Sequence, residues 1–456
     1  MTLEVPETET LPARGRPFDS LKGWRPWIRK GSLAVVDQGL FASSNFLLNV
    51  LLARWLAPAD YGAFAMAYSI FLLLLVLHSA LLTTPALVFG AGKYSERFPE
   101  YLGILLRGHF VLTLCGSALL VVAAFVLGRL YSAVLERALL ALAIAAPFIL
   151  LLWLLRRMFY ARLDPRWASV GSGIYLVILL ACAFTLRALG RLTSTTGFLA
   201  MAAASIITCV LLLAMLRPSW ITSSSFIRSV ASDHWSYGKW VAAGAGPNWI
   251  MDNIYFIVLP AWLGLAEVGA LKALLNLAQP ALQTISALGI LLTPILVRDR
   301  RAGGFGAMGT TMKLSLALFA SGSVFYLALL WGFRFQIFYS VYGGKYSAYD
   351  SWPLLLVGLL PLAQSLPNVV GAALGALEQP KLGFWADSAS AVVGLLLGVP
   401  LLLRLRVGGA VLGIALSYTM IGIFTLWFFL RCVRRDGSMS ESRTVRLETL
   451  NRTGSL

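Results

Sequence analysis

Twelve apolar stretches of about twenty residues each divide this chain of 456 residues and limit what it can fold into. A helix of about 20 apolar residues spans the roughly 30 Å hydrocarbon core of a bilayer. Hydrophobic residues make up 59% and charged residues 12% of the chain, against about half and about a quarter in soluble domains. The sequence therefore predicts an all-α polytopic membrane protein. Its predicted spans are 32–53, 62–88, 102–127, 132–155, 168–187, 195–216, 236–260, 266–296, 310–332, 352–376, 383–403 and 409–431.

An internal repeat indicates that the chain consists of two related halves. The tract 52–63 returns 207 positions later as 259–270, so that Trp55 falls on Trp262 and Gly62 falls on Gly269. A weaker echo places 161–166 on 376–381. Because each half holds six spans, an even number, both halves start on the same side of the membrane. Such parallel repeats are typical of transporters that bind their substrate between the halves.

The distribution of basic residues predicts the orientation of the chain in the membrane. Of the 37 Lys and Arg residues behind the net charge of +17, 27 lie in the tails and alternate connections on one side and 10 on the other. The positive-inside rule places both termini in the cytoplasm. The predicted organisation is a basic tail over 1–31, a six-helix bundle over 32–216, a cytoplasmic linker over 217–235, a second bundle over 236–431 and a C-terminal tail over 432–456.

Several function classes find no support in the sequence. No soluble segment interleaves basic residues with stacking aromatics, which argues against nucleic-acid binding, and the charge is instead suited to anionic lipids. The four cysteines show no paired spacing, so neither a disulfide framework nor a metal site is expected. No Walker A loop, zinc signature or nucleophile elbow is present. We therefore expect neither catalysis nor a bound cofactor.

Polar residues form stripes on two of the predicted spans. On a helix with 100° per residue, the three amides of the first span fall within about 40° of arc, and four polar residues of the eighth within about 60°. Polar groups inside a span are costly and usually face a cavity or another helix. The two stripes are Gln38, Asn45 and Asn49, and Lys272, Asn276, Gln279 and Gln283.

Other polar residues extend this candidate cavity. Asn248 and Asp252 share a face of the seventh span, and Gln364 and Asn368 lie four apart on the tenth. For each amide, hydrogen bonding between helices is the structural alternative. Asp252 lies near the middle of its span, and its structural alternative is an ion pair with a lysine.

Three loosely defined tracts carry a resemblance to a known family. The tract from Val36 to Ala63 resembles the first helix pair of the polysaccharide transport family, the Wzx-type lipid-linked oligosaccharide flippases. The segments 342–346 and 407–413 are similar to loops typical of that family. Multidrug extruders of the MATE type and lipid II flippases belong to the same MOP superfamily.

The resemblance implies two six-helix bundles around a central cavity, in the inner membrane of a bacterium. The implied substrate is an undecaprenyl-pyrophosphate-linked oligosaccharide repeat unit, moved by alternating access. Cavity amides would bind its sugars, and Lys272 with Arg54 or Lys239 would attract its pyrophosphate. Asp252, and secondarily Asp37, would couple transport to a proton or sodium gradient.

Alternatives remain open. A MATE-like extruder of cationic drugs would also use acidic residues in the first or seventh span, and a scaffold of a polysaccharide synthesis complex would transport nothing. Lipid II flippases generally carry two further helices, which disfavours that reading. A polysaccharide polymerase, a chain-length regulator and membrane lipids are the expected partners of a flippase.

Overall fold

Long α-helices make up almost all of the structure, a computed structural model that describes the backbone of residues 21–377 and 379–453. Side chains are described for residues 32–434 except 290, 378 and 380. Six helices precede the connection at 217–223. They are α1 (Leu21–Trp55), α2 (Pro58–Ala91), α3 (Phe98–Leu130), α4 (Ala133–Ala161), α5 (Arg166–Ala188) and α6 (Ser194–Leu216).

The second half begins with α7 (Ser224–Val258) and a short helix at Pro260–Leu263. The continuous helical stretch Leu265–Gly332 changes direction at Gly303 and Gly304, where φ is −144° and +63°. These two residues separate α8 (265–302) from α9 (305–332). Tyr326 of α9 donates a hydrogen bond of 2.5 Å to the carbonyl of Leu277 in α8, as expected of an antiparallel pair.

The last helices contain a second reversal. After the short helix Arg334–Tyr342 and α10 (Trp352–Ala376), the stretch Pro380–Thr453 turns at Arg406, whose φ is +56°. The two arms are α11 (380–405) and α12 (407–453). Gly398 and Gly413 face each other across this turn, with a Cβ on Gly398 only 3.1 Å from the Gly413 Cα.

In the described part of the chain, twelve helices of membrane-spanning length follow one another, the number predicted from the sequence. Within the described residues, nine helical stretches are long and apolar enough to cross a membrane, and two of these nine contain the reversals above. The remaining crossing is α7, whose polar residues reduce its hydropathy. It begins at Ser224, so helix also covers most of the segment expected as a linker over 217–235.

Successive helices alternate between two ends of the molecule. We call the end where α1 leads into α2 the closed end, and the end where α2 leads into α3 the open end. Helix α7 packs on α2 and α3 and also on α11 and α12, so it contacts both halves. Helix α2 makes the most extensive contacts between the halves, with α7 and with α8.

Two glycines make the contact between α2 and α8 possible. A Cβ added to Gly62 would overlap the carbonyl oxygen of Leu265, and one added to Gly269 would overlap that of Pro58. Pro58 and Leu265 are themselves 207 positions apart, as are the two glycines. The contact is therefore symmetrical, with the same two repeat positions meeting from either side at the closed end.

This contact predicts a loss of stability in Gly62→Ala. A methyl group there must displace backbone, and overpacking of this kind costs about 1–3 kcal/mol of unfolding free energy. Thermal unfolding of the purified protein should show a lower melting temperature. Gly39→Ala is the control, because nothing lies within 4 Å of a Cβ at Gly39, and it should not melt earlier. A Gly62→Ala protein that melts like the parent would contradict the packing described.

Candidate functional site

A cavity of about 640 Å³ lies between the two halves, bounded by α1, α2, α4, α6 and α8. Its polar lining contains both predicted stripes complete. These residues are Gln38, Asn45, Asn49, Lys272, Asn276, Gln279 and Gln283, with Ser43 beside them. Aromatic rings form much of the remaining wall, contributed by Phe41, Phe46, Tyr68, Phe71 and Trp153.

The amides of α1 are held by their own helix. Asn45 donates to the carbonyl of Phe41 at 3.1 Å, and Asn49 donates to that of Asn45 at 2.9 Å. Each amide has two N–H donors and an oxygen that accepts. These local bonds fix the side chains and leave hydrogen-bonding capacity towards the cavity, most of all on Asn45.

Lys272 is the one cation among the described residues that line the cavity, and that lining contains no Asp or Glu. Its Nζ lies 5.5 Å from the centre of the Tyr68 ring and 5.7 Å from that of Phe256. The faces of aromatic rings attract cations within about 6 Å. The ammonium is thus positioned by rings rather than neutralised by a carboxylate.

Tyr61 closes the cavity towards the closed end. Its hydroxyl accepts a 2.9 Å hydrogen bond from Asn276 of α8 and donates to Oδ1 of Asn49 at 3.5 Å. The ring is fully buried. One side chain of α2 therefore connects the stripes of α1 and α8 directly behind the Gly62 contact.

Beyond Tyr61, at the closed end, a cation of each half donates a hydrogen bond to a backbone carbonyl of the other half. Arg54 donates to the carbonyl of Ser340, and Lys345 donates to that of Leu56 at 2.6 Å. Partial burial lowers the pKa of Lys345, and the charge of Arg187 adds to the effect. The structure therefore places Arg54, predicted to meet the substrate, at the closed end and outside the cavity lining.

Asp37 lies in a buried ion pair. Its carboxylate accepts two hydrogen bonds from Arg156 at 3.0 and 2.7 Å, one from Tyr160 and one from Ser172, both at 2.5 Å. The Asp37 and Arg156 side chains are 0% and 2% exposed. The pair joins α1, α4 and α5 behind the cavity wall, with every carboxylate oxygen bonded.

Asp252 belongs to a polar group on the other half. Its Oδ1 accepts a 2.9 Å hydrogen bond from Tyr418 of α12. Asn248, one turn earlier, donates to Oδ2 of Asp387 on α11 at 3.3 Å. Both carboxylates thus have neutral partners, and neither Asn248 nor Asp252 lines the cavity.

Three further predicted residues lie apart from the cavity. Lys239 is exposed on α7, with its Nζ 5.7 Å from the Trp240 ring. Asn368 lines a separate hollow of about 340 Å³ between α8 and α10. The backbone carbonyl of Gln364 accepts a 2.9 Å hydrogen bond from the Asn368 amide, and Oε1 of Gln364 is buried without a partner among the described residues.

Sequence reasoning missed several residues that shape this region. Arg156, which directly follows the predicted span 132–155, is the buried partner of Asp37. A carboxylate inside a span requires compensation, so the search for a matching cation could have found it. Tyr61 and the aromatic wall gave no such signal, because apolar rings look alike in lipid-facing and cavity-facing positions.

Comparisons with known proteins identify the fold. No family model and no curated protein matches the chain. An inward-facing multidrug resistance MATE family transporter of the MOP superfamily is similar, with a TM-score of 0.75 at 12% identity, covering 88% of this chain and 98% of that one. An outward-facing conformation of such a transporter gives 0.60 at 12% identity, over 90% and 96%.

The lipid II flippase MurJ in an inward closed conformation gives a TM-score of 0.68 at 14% identity, covering 89% of this chain and 87% of that one. At such identities the likeness establishes architecture. The chain is an all-helical, multi-pass membrane protein with the MATE-like fold. This confirms the fold class predicted from the sequence.

The Asp37–Arg156 pair leads to a stability prediction. Asp37→Asn should lower the unfolding free energy by about 3–5 kcal/mol, because it leaves a buried guanidinium without its counter-ion. Asp164→Asn is the matched control, since its pair with Arg166 is exposed at 36% and 61% and is worth at most about 1 kcal/mol. Thermal unfolding of both variants provides the measurement, and equal melting temperatures would refute a stabilising role for the buried pair.

Proposed function

We propose that the protein is a flippase that moves an undecaprenyl-pyrophosphate-linked oligosaccharide across a bacterial inner membrane. The observation that carries this proposal is the composition of the cavity. Six amides and one lysine supply its hydrogen-bonding side chains besides Ser43, Tyr68 and Trp153, with no carboxylate in the described lining. That lining suits a neutral polyhydroxyl group joined to an anion.

Amides are suited to sugars because they can donate and accept at the same time. Asn45 and Gln38 face the pair Gln279 and Gln283 across the cavity, so a sugar between the halves could bond to both. Gln283 donates to Oε1 of Gln279 at 3.4 Å, a long bond that a substrate hydroxyl can replace. Bonds made inside the cavity would offset the loss of water from the head group.

Lys272 is suited to the pyrophosphate because no protein anion competes for it. An ammonium on a flexible stem acts as a point charge for phosphate. Arg54 and Lys239 were the other candidates, and their positions at the closed end and on exposed α7 favour Lys272. The prenyl chain would remain in lipid while the head group crosses between the halves.

We infer that the open end faces the cytoplasm. The connections at this end belong to the set that carries 27 of the 37 basic residues, in keeping with the positive-inside rule. The higher TM-score with the inward-facing transporter supports the same orientation. In this arrangement the head group enters from the cytoplasm and leaves when the α2–α8 contact opens.

Asp252 is our candidate for coupling transport to an ion gradient. It shares its region with Asp387, and both carboxylates have only neutral hydrogen-bond partners. Asp37 was the second candidate, but its oxygens are occupied by Arg156, Tyr160 and Ser172. The contacts of Asp37 favour a structural role.

The composition of the cavity also argues against the two alternative functions, a drug extruder and a scaffold. An extruder of cationic drugs would need an anionic or purely aromatic cavity, and here the charge is positive. A scaffold would gain nothing from two polar stripes that converge on an internal cavity. Polymerase and chain-length regulator remain predicted partners of the flippase.

Replacing Lys272 tests the substrate assignment. Lys272→Ala should reduce surface polysaccharide at least about tenfold, the factor for losing 1.4 kcal/mol of binding energy, in a strain that depends on this protein. Lys239→Ala, which removes an exposed lysine outside the cavity, is the control and should leave output unchanged. Equal polymer output from Lys272→Ala and parent at equal expression would exclude a substrate role for Lys272.

Replacing Asp252 tests the coupling assignment. Asp252→Asn keeps the size of the side chain and removes its charge, so an imposed proton or sodium gradient should no longer accelerate transport in proteoliposomes. Asp299→Asn changes a carboxylate at the open end, bonded to Arg298 and Thr311, and should retain the acceleration. If Asp252→Asn also retains it, coupling occurs elsewhere.

A further inference from the structure

All three histidines of the chain gather around one irregular turn of α2. Residues Ser79–Thr83 form a π-helical turn in the middle of this helix. Single π-helical turns are rare and often occur at functional sites. Nothing in the proposed substrate cavity accounts for this cluster.

His78 and His109 form a buried pair beside the turn. Nε2 of His78 lies 3.0 Å from Nδ1 of His109, and the side chains are 1% and 5% exposed. His109 also hydrogen-bonds the carbonyl of Pro147 in α4. Because a carbonyl only accepts, we assign the hydrogen of His109 to Nε2, which leaves its Nδ1 as the acceptor for His78.

This assignment leaves one nitrogen available for a further proton. Nδ1 of His78 is buried and has no hydrogen-bond partner among the described residues. A proton bound there would create a buried cation, which is costly unless it gains a partner. The conformation seen here thus holds the pair neutral, and protonation would favour a different arrangement of the turn.

The third histidine, on α7, hydrogen-bonds the backbone of the same turn. Nδ1 of His234 in α7 lies 3.0 Å from the carbonyl of Leu81, so it donates to that oxygen, and its Nε2 accepts from Tyr101 at 2.7 Å. Gly238 allows α7 to approach, since a Cβ there would lie 2.8 Å from the carbonyl oxygen of Ala80. The turn is therefore fixed to α7, which contacts both halves.

Other titratable groups near the turn already have partners or point elsewhere. On α7, Asp233 is paired with Lys93 at 2.5 Å, and Lys239 is exposed beside Trp240. On α3, Arg107 donates to the carbonyl of Trp220 near the open end. In the described residues of α2 and α4, no charged side chain hydrogen-bonds either ring of the pair.

The turn is well placed to change the cavity. Helix α2 carries Gly62 at the closed end and Phe71, Leu72 and Leu75 on the cavity wall. Leu75 is three residues before His78, and Ile149 of the same wall is two residues after Pro147. A change of bend at 79–83 would move the open-end arm of α2 relative to that wall.

We propose that the His78–His109 pair is a proton-binding site whose occupancy changes the bend of α2 and closes the open end of the cavity. As a step in transport this rests on the proposed function. The pair would act in the first half, beside the coupling role proposed for Asp252 in the second half. Its ligand is the proton itself, taken up at Nδ1 of His78.

Cavity accessibility tests this without any glycolipid. The four native cysteines are replaced by alanine, and Ser43→Cys reports on the cavity that Ser43 lines. Its reaction rate with a membrane-impermeant maleimide is measured for full-length protein in lipid nanodiscs between about pH 8 and about pH 5, where histidine titrates. Dividing by the rate of an exposed Ser225→Cys reporter removes the pH dependence of the thiol itself.

The normalised rate should fall about fivefold or more at low pH, because coupling between two sites of a protein typically changes an equilibrium by at least about fivefold. In a His78→Gln, His109→Asn double variant, Gln Nε2 and Asn Oδ1 replace the two bonded nitrogens, and the rate should not depend on pH. His234→Asn, which keeps a donor near Leu81, is the matched control and should retain the fall.

A normalised rate independent of pH in the parent would overturn the proposal, as would a fall that survives in the double variant. Loss of the response in His234→Asn alone would also overturn it, because the site would then be His234. Since no substrate is present, none of these results bears on glycolipid transport. Failure of glycolipid transport would likewise leave the accessibility result standing.

Discussion

The reciprocal contact of Gly62 with Leu265 and of Gly269 with Pro58 determines how the two halves meet. Close approach of two helix backbones requires residues without side chains at the crossing point. Because both glycines occupy the same repeat position, the contact lies on the pseudo-two-fold axis expected of parallel repeats. It closes one end of the molecule and leaves the rest of the interface free to hold a cavity.

Around this symmetrical contact the polar groups are placed asymmetrically. Tyr61 joins Asn49 and Asn276 on one side, whereas the repeat position of Tyr61 is Val268. Lys272 has Ala65 as its counterpart, and Arg54 has Ala261. A duplicated scaffold thus carries one lysine in one wall of its cavity, which suits a substrate that has an anion at one end.

The two halves also differ in the partners of the carboxylates within their helices. In the first half, Asp37 and Arg156 form a buried ion pair that does not face the cavity. Truncating one member of such a pair is costly, which makes it a structural element. In the second half, the hydrogen-bond partners of Asp252 and Asp387 among the described residues are the neutral Tyr418 and Asn248. Unpaired carboxylates within a span are candidates for ion binding.

Helical periodicity made the cavity predictable wherever one helix supplied several polar residues. The α8 stripe from Lys272 to Gln283 lines the cavity completely, as does the α1 stripe, because 100° per residue fixes which side chains share a face. Asn248, Asp252 and Asn368 lie elsewhere, because the face turned to the cavity depends on how helices pack. Local sequence does not contain that information.

Contacts between residues far apart in the chain were equally unpredictable from the sequence. The Asp37–Arg156 pair, the Arg54–Ser340 contact and the His78–His109 pair join residues that are 119, 286 and 31 positions apart. The repeat, by contrast, identifies Gly62 and Gly269 as equivalent positions, and equivalent residues of two parallel repeats can meet on their common axis. The π-helical turn at 79–83 had no sequence signal, since its residues are compatible with an ordinary helix.

The proposed movement of a glycolipid head group between leaflets can be measured directly. Purified protein is reconstituted in liposomes with a fluorescent undecaprenyl-pyrophosphate-linked oligosaccharide present in both leaflets, and an impermeant glycosidase is added outside. We expect the enzyme eventually to cleave nearly the whole pool, because the protein supplies the inner leaflet's share to the outside. Cleavage that stops at the outer-leaflet fraction, as in protein-free liposomes, would contradict it.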